Sequence, residues 1–292
     1  MAAEHMRTWK IGDVEITRIV ELWNHTDPLN FLLPEGSPEL MKKYDWLFPH
    51  FATPDGDMML NFQCFTVKTP ERKIMVDTCV GNDRWREYDV FVNMHTSFIE
   101  DITAAGCPPD EITDVLCTHL HFDHVGWNTR KDGENWVPTF PNARYLFSKK
   151  EWAQWKDVPR DGTVHAQHLV DSVQPVLDAG LVDLVEPDHR ICDEVVLFPT
   201  PGHTPGHVSV HISSNGKAAV ITGDLLHHPV QIAEPDMAGN FDMDPKQGCD
   251  TRRQFLESYK DRKAFVIGSH FSDPTGGWIV TENRNWRFEA DE

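Results

Sequence analysis

The chain has 292 residues, of which 40% are hydrophobic, and its 46 acidic and 27 basic side chains give a formal net charge of -19. This length lies near the upper limit for a single hydrophobic core, so one large domain and two small ones are both open. The strongly negative charge repels phosphate backbones and anionic lipids, which argues against nucleic acid and membranes as partners.

Neither export nor membrane insertion is suggested by the sequence. The N-terminal residues lack the apolar segment of a signal peptide, and no run of about 18 apolar residues occurs. The six cysteines are scattered without a CxxC pair, which is typical of reduced, buried thiols rather than of a disulfide framework. We therefore expect a soluble, cytoplasmic protein.

Short apolar runs bounded by turn residues predict nine strands. In chain order these are 14–22, 62–69, 73–78, 114–118, 143–148, 194–200, 207–213, 218–224 and 264–270. Helical patterns occupy 97–106, 148–156, 165–180 and 250–260, and Pro175 interrupts the third. A capping-box spacing opens the first two helices, with Ser97 before Glu100 and Ser148 before Glu151.

Strands follow one another directly and also across helices, so we predict a mixed α/β protein with sheets covered by helices. No repeat or linker marks a boundary, and we predict one domain over residues 1–292. Residues 22–60 and 127–168 are rich in aromatics but lack clean periodicity. Such long irregular segments are usually functional or disordered, and the aromatic content argues against disorder. We interpret 22–60 as an N-terminal extension or cap; these aromatics either line a pocket or pack under their own loops or at a subunit contact.

Four predicted strands end in side chains that can bind a metal ion. The seven candidates are His119, His121, Asp123, His124, His203, Asp224 and His270. Strand ends on one rim are rigid points from which side chains can converge. Seven nitrogen and oxygen ligands exceed the four of a structural zinc site, so we expect two divalent ions. A set of imidazoles and carboxylates without thiolates suits Zn²⁺, with Fe, Mn or Co as alternatives.

Four motifs carry a resemblance to a known family. The segments THLHFDH (118–124), PGHTPGH (201–207), TGD (222–224) and GSH (268–270), in this order, resemble the metallo-β-lactamase superfamily, whose fold is an αββα sandwich. The resemblance covers about residues 60–275. It implies that the first metal is bound by His119, His121 and His203, the second by Asp123, His124 and His270, and that Asp224 bridges them. Asp77 would support the site, whereas His165, His168, His207 and His211 are not predicted ligands.

Such a centre would hold a bridging hydroxide at neutral pH that attacks a carbonyl or phosphoryl group. Asp224 could accept the proton of this nucleophile, and Asp123 is a further catalytic candidate. We predict a metal-dependent hydrolase whose partner is a small-molecule lactone or carboxylic ester. A phosphotriester substrate is the alternative, and a metal-binding partner or sensor protein without catalysis is the hypothesis from another class.

The long N-terminal segment and the GDLLHHPVQ stretch (223–231) resemble the lactonase and organophosphate-hydrolase group of this superfamily. Acyl-homoserine lactonases typically carry a tyrosine three residues after the bridging aspartate, where this chain has His227. An imidazole and a phenol can both donate a hydrogen bond to a substrate oxygen, so His227 is a catalytic candidate, with loop packing as the alternative. The resemblance, with the apolar content of 22–60, also implies a homodimer.

Overall fold

The computed structural model describes residues 6–160, 166–283 and 285–292. The chain divides into two compact units. The first comprises Met1–Glu21 and Phe62–Glu186, and the second comprises Leu22–Asn61 and Pro187–Glu292. The segment predicted as a cap, 22–60, falls in the second unit, and a single domain over 1–292 stays a prediction.

Strands and helices alternate along the described ranges, which confirms the mixed α/β class. The strands are β1 (Thr8–Ile11), β2 (Val14–Asp27), β3 (Met58–Lys68), β4 (Lys73–Val76), β5 (Asp114–Leu116), β6 (Thr129–Asp132), β7 (Asn135–Pro138), β8 (Arg144–Ser148), β9 (Val182–Val185), β10 (Val195–Pro199), β11 (Val208–Ser214), β12 (Lys217–Ile221), β13 (Phe265–Ile267), β14 (Gly276–Glu282) and β15 (Asn285–Ala290). The α-helices are α1 (Leu29–Leu32), α2 (Pro38–Met41), α3 (Phe98–Ala104), α4 (Phe122–Val125), α5 (Lys149–Trp155), α6 (Gln174–Asp178), α7 (Val230–Ala233) and α8 (Pro245–Tyr259).

The first unit is organised by a seven-stranded sheet with the order β1-β2-β3-β4-β5-β8-β9. Strand β4 pairs in parallel with β5, β5 with β8, and β8 with β9. Every residue of β5 is buried. The core around it includes Met75, Val115 and Tyr145 together with Phe98 and Trp127. Burial on both faces explains why Val115, Leu116 and the following Cys117 are consecutive apolar residues instead of alternating with polar ones.

The second unit contains a six-stranded sheet with the order β10-β11-β12-β13-β14-β15. Its pairs are antiparallel except for β12 with β13, which are parallel. The core of this unit gathers Leu33 and Phe51 from the N-terminal segment with Val220 and Val266 of the sheet. Much of the apolar content of residues 22–60 thus belongs to a core, whereas the side chains of Trp23 and Phe31 remain exposed.

All nine predicted strands exist, although β2 continues to Asp27 and β3 begins at Met58. The hairpin of β6 and β7 was not predicted because its sequences TRKD and NWVP carry too little apolar periodicity; the residues of β6 are mostly exposed, and those of β7 are mostly partly buried. Helix α3 lies inside its predicted range, 97–106, whereas α8 begins at Pro245, before its predicted range of 250–260. The third helical prediction corresponds to a π-helical turn at Leu169–Val173 followed by α6; its first residue, His165, lies outside the described residues.

Both capping-box predictions are wrong. Neither Ser97 nor Ser148 makes a side-chain cap. The Ser97 hydroxyl instead donates to Asp101 Oδ2 at 2.8 Å, and Glu151 Oε1 accepts from the Leu120 amide at 3.0 Å. Asp101, one helical turn away, thus binds the Ser97 hydroxyl, and the buried Leu120 amide binds the Glu151 carboxylate. Both groups would otherwise be available for a capping box. Among the described residues, no helix has the length and apolar run that a membrane crossing would require.

Candidate metal centre

The first group of predicted ligands follows the carboxyl end of β5. Because β4 and β5 are parallel, Asp77 after β4 and Thr118 after β5 leave the sheet at the same edge, where polar sites commonly form. The Asp77 amide donates to Leu116 O at 2.8 Å, and Asp77 adopts a left-handed backbone with φ of 60°. Aspartate is among the residues that tolerate this conformation, yet it carries strain of the kind found at functional sites.

The buried Asp77 carboxylate organises this edge. Its Oδ1 accepts from the Thr118 amide at 2.7 Å, and its Oδ2 accepts from the Thr118 hydroxyl at 2.9 Å and from His124 Nδ1–H at 2.9 Å. Because the Thr118 hydroxyl donates its proton to Asp77, it accepts at its other contact, which is His119 Nδ1 at 3.1 Å. His119 and His124 therefore both carry their proton on Nδ1 and keep a lone pair on Nε2.

His119 Nε2 lies 3.0 Å from His121 Nδ1, and Asp123 Oδ2 lies 3.7 Å from His124 Nε2. His119 and His124 are buried, while His121 and Asp123 remain partly exposed. The ring of His121 meets the edge of Trp155 at a centroid distance of 5.7 Å. The four predicted ligands of the first unit thus lie together and present nitrogen and oxygen atoms to one another.

Helix α4, which holds Asp123 and His124, is anchored by a close backbone approach at Gly126. A Cβ there would lie 1.9 Å from Val80 O, so only glycine fits. The Gly126 amide donates to Cys79 O at 2.7 Å. Next to it, Glu21 Oε1 accepts from Trp127 Nε1 at 2.6 Å; burial raises the pKa of Glu21, even though several hydrogen bonds oppose this.

In the second unit, three imidazoles converge on the Asp224 carboxylate. His203 Nε2 lies 3.4 Å from Oδ2, and His270 Nε2 lies 3.3 Å from Oδ1. His227 Nε2 lies 3.1 Å from Oδ2, and the His227 ring is nearly parallel to that of His270 at a centroid distance of 5.9 Å. All four side chains are buried. The structure therefore brings the predicted ligands of this unit together and adds His227 to them.

Glycine permits the turn that presents His203. Gly202 has φ of 139°, and a Cβ on it would lie 2.3 Å from the backbone of Gly248 in α8. His203 Nδ1–H then donates to Asp242 Oδ1 at 3.2 Å. On the other side of Asp224, His270 Nδ1–H donates to Asn61 O at 3.0 Å.

Asp242 is a site residue that sequence reasoning missed. It lies in a loop without periodicity, so no pattern in the sequence distinguishes this buried residue from the aspartates of the surface. Its Oδ2 accepts from the Gly239 amide at 2.9 Å and lies 3.7 Å from the buried Arg252 guanidinium. Burial opposes ionisation of Asp242, but the hydrogen bond from His203 and the nearby positive charges outweigh it and lower its pKa.

The donor set fits divalent metal ions. Metal-binding histidines characteristically donate one ring N–H to a protein oxygen and bind the ion with the other nitrogen. His119, His124, His203 and His270 all donate from Nδ1 to Thr118, Asp77, Asp242 and Asn61, respectively, and so keep Nε2 as a ligand atom. With Asp224 and Asp123 as carboxylate ligands, such a set suits Zn²⁺ and similar ions.

The two histidines that follow Asp224 have different surroundings. The backbone amides of His227 and His228 face Gln231 Oε1 at 2.8 and 3.3 Å, which fixes their turn. His228 Nε2–H donates to Phe51 O at 2.7 Å, and its Nδ1 accepts from the Val230 amide at 3.1 Å. Burial lowers the pKa of His228 to about 4. His228 is therefore a neutral structural residue, and of these two histidines it is His227 that faces Asp224.

The match to a family model extends over residues 63–270 and is described as "Metallo-beta-lactamase superfamily". A curated relative, an N-acyl homoserine lactonase of Bacillus thuringiensis, is 23% identical over 239 residues, which span 75% of this chain and 84% of the relative. Another N-acyl homoserine lactonase, from Bacillus sp., is 26% identical over 182 residues, 58% of this chain and 65% of that protein.

Among solved structures, AidC, described as a dizinc quorum-quenching lactonase in complex with a product, superposes with a TM-score of 0.80 at 23% identity and covers 98% of this chain and 97% of its own. The hydrolase AbOPH of the beta lactamase superfamily superposes with a TM-score of 0.79 at 24% identity, covering 98% of this chain and 97% of its own. These likenesses confirm the predicted fold. The chain belongs to the metallo-β-lactamase superfamily.

Proposed function

We propose that this chain hydrolyses a small-molecule lactone or carboxylic ester with two divalent ions bound by the seven predicted ligands. The chain is a metal-dependent hydrolase of its superfamily. The observation that carries the proposal is the set of four histidines anchored through Nδ1, whose Nε2 atoms lie among the neighbouring carboxylates and imidazoles described above. The choice of substrate is supported by the curated relatives named N-acyl homoserine lactonase.

Each residue type has a role in this chemistry. Divalent ions at such a site lower the pKa of bound water and polarise a carbonyl oxygen. Asp224 is held among three imidazoles, with Oδ1 facing His270 and Oδ2 facing His203 and His227, and can take up a proton at Oδ2. His227 Nε2 lies 3.1 Å from that atom in the structure; as the proposed donor, its N–H would turn from this carboxylate to a substrate oxygen. Asp123 is the second carboxylate of the predicted ligand set, and its side chain is partly exposed to solvent.

The test is a parallel hydrolysis panel of acyl-homoserine lactones, other lactones, aryl esters and phosphotriesters, with zinc-loaded and chelator-treated enzyme. The proposal predicts lactone or ester turnover that is lost with chelator and restored by Zn²⁺. Replacing His227 with phenylalanine should lower kcat more than it changes zinc content. Preferential phosphotriester turnover would favour the alternative activity. A protein that holds two metal ions but turns over none of these compounds would support a metal-binding sensor or partner protein.

Zinc as the native metal is supported by the imidazole and carboxylate set and by the dizinc neighbour. We further propose a homodimer through residues 22–60. Light scattering on the purified protein tests this assembly, and a monomer at micromolar concentration would contradict it.

A further inference from the structure

His207 is a buried histidine outside the predicted ligand set. It immediately precedes β11, and its side chain is fully buried. Its Nε2 lies 2.8 Å from the backbone nitrogen of Asp224. A backbone N–H can only donate, so His207 Nε2 must carry a lone pair.

The other ring nitrogen of His207 faces Thr200. His207 Nδ1 lies 3.1 Å from Thr200 O and 2.8 Å from Thr200 Oγ1. A carbonyl oxygen can only accept, so Nδ1 must carry the proton. The two ends of the ring therefore independently require the same neutral tautomer.

The direction of the hydrogen bonds beyond Thr200 agrees with this tautomer. The Ser209 hydroxyl donates to Thr222 O at 2.7 Å, so its oxygen accepts at its contact with Thr200 Oγ1, 2.9 Å away. The Thr200 proton is then committed to Ser209, and Thr200 Oγ1 accepts from His207 Nδ1–H. A hydrogen-bond chain of one direction thus runs from the Asp224 amide through His207, Thr200 and Ser209 to the Thr222 carbonyl.

This chain starts and ends on either side of the turn that presents Asp224. Gly223 has a left-handed φ of 56°, and Asp224 lies off helical geometry with φ of -91° and ψ of 16°. The irregular turn therefore does not give the Asp224 amide the hydrogen bond of a regular helix. A buried amide without an acceptor costs about 1 to 3 kcal/mol. His207 supplies that acceptor from a rigid strand end.

We propose that His207 is a positioning residue that fixes the Asp224 carboxylate for metal binding by holding the Asp224 amide in this orientation. The inference rests on the proposed function, because it takes Asp224 to be a metal ligand. His207 touches neither metal nor substrate; it acts through the turn at Asp224. Outer residues of this kind typically change metal affinity about 10- to 100-fold.

The first test measures the tautomer and needs no metal and no substrate. Nitrogen-15 spectra of the full-length protein, with the His207 resonances identified by their loss in His207→Gln, should show Nδ1 protonated and Nε2 bare. They should do so in metal-free and zinc-loaded protein. A protonated Nε2 in the metal-free protein would overturn the inference, whether or not the protein binds two zinc ions.

The second test compares His207→Leu with His207→Gln, whose side-chain oxygen reaches the position of Nε2 and can accept the Asp224 amide. Leucine should weaken zinc binding about 10- to 100-fold in competition with a chelator. Glutamine should bind within about threefold of the original protein, because it restores the acceptor. His211→Gln is the matched control: His211 lies on β11, half-buried against Tyr259, and this variant should bind zinc normally.

The melting temperature of the metal-free variants separates positioning from packing. A merely structural His207 would lower the melting temperature in His207→Leu, yet the folded variant would bind zinc as the original protein does, and this result would overturn the inference. If the unmodified protein itself binds fewer than two ions, the proposed dinuclear function fails. The spectra still report on the hydrogen bond in that case, so the two failures are distinguishable.

Discussion

Replacing Asp242 with asparagine should uncouple His203 from metal binding while leaving the fold intact. Asp242 accepts two hydrogen bonds, from His203 Nδ1–H at 3.2 Å and from the Gly239 amide at 2.9 Å, and asparagine has only one side-chain oxygen for both. If that oxygen stays with Gly239, the amide NH₂ faces His203 Nδ1 and favours the tautomer with a proton on Nε2. A protonated Nε2 cannot bind a metal ion.

Loss of such an outer partner lowers metal affinity about 10- to 100-fold, or about 1.4 to 2.7 kcal/mol in binding free energy. The assay is zinc competition with a chromophoric chelator, with metal content measured after dialysis. Asp236→Asn is the matched control, because Asp236 is an exposed carboxylate whose ion pair with Arg253 contributes at most about 1 kcal/mol. Zinc affinity of Asp242→Asn equal to that of the control would refute the reasoning.

Three further predictions concern stability. Asp171→Ala removes the carboxylate of a buried bidentate pair with Arg86, at 2.8 and 3.1 Å, and should lower the free energy of unfolding in urea by about 3 to 5 kcal/mol; a loss below about 1 kcal/mol would contradict this. The pKa of His228, lowered by burial to about 4, is below the ordinary value of about 6.5, so the unfolded chain binds more protons between these values. Stability should therefore fall by up to about 1.4 kcal/mol per pH unit from pH 6.5 to 4, and an unchanged slope in His228→Gln would contradict this assignment. Gly126→Ala places a Cβ against Val80 O and should lower the melting temperature by well over 5 °C; a melting temperature equal to that of the unmodified protein would refute the packing argument.

Much of the fold could be predicted because buried strands appear in the sequence as runs of apolar residues. Strand β5, buried along its whole length, and β12, which ends at Ile221, were both recognisable in this way. Strands β6 and β15 were not, because their side chains are largely polar or only partly buried and pairing with a neighbour determines their conformation. The capping box at Ser148 fails because the Glu151 carboxylate accepts from the Leu120 amide, 31 positions away, and from Trp155 Nε1 in the same helix.

The candidate site divides along similar lines. Predicted ligands such as His119 and Asp224 follow strand ends within short motifs, so their spacing reveals them. The residues that orient them are contributed by separate parts of the chain and carry no motif: Asp242 lies 39 positions from His203. His207 lies within a motif, but only the hydrogen bond to the Asp224 amide shows what it does.

The most direct test of the central claim is a crystal structure of the zinc-loaded protein with anomalous scattering measured at the zinc edge. The proposal predicts two peaks per chain about 3.5 to 4 Å apart, a separation typical of two-metal hydrolases. The imidazoles of His119 and His203 should bind one ion, those of His124 and His270 the other, and Asp224 should bind both. A single peak, or a zinc ion bound without Asp224, would contradict it.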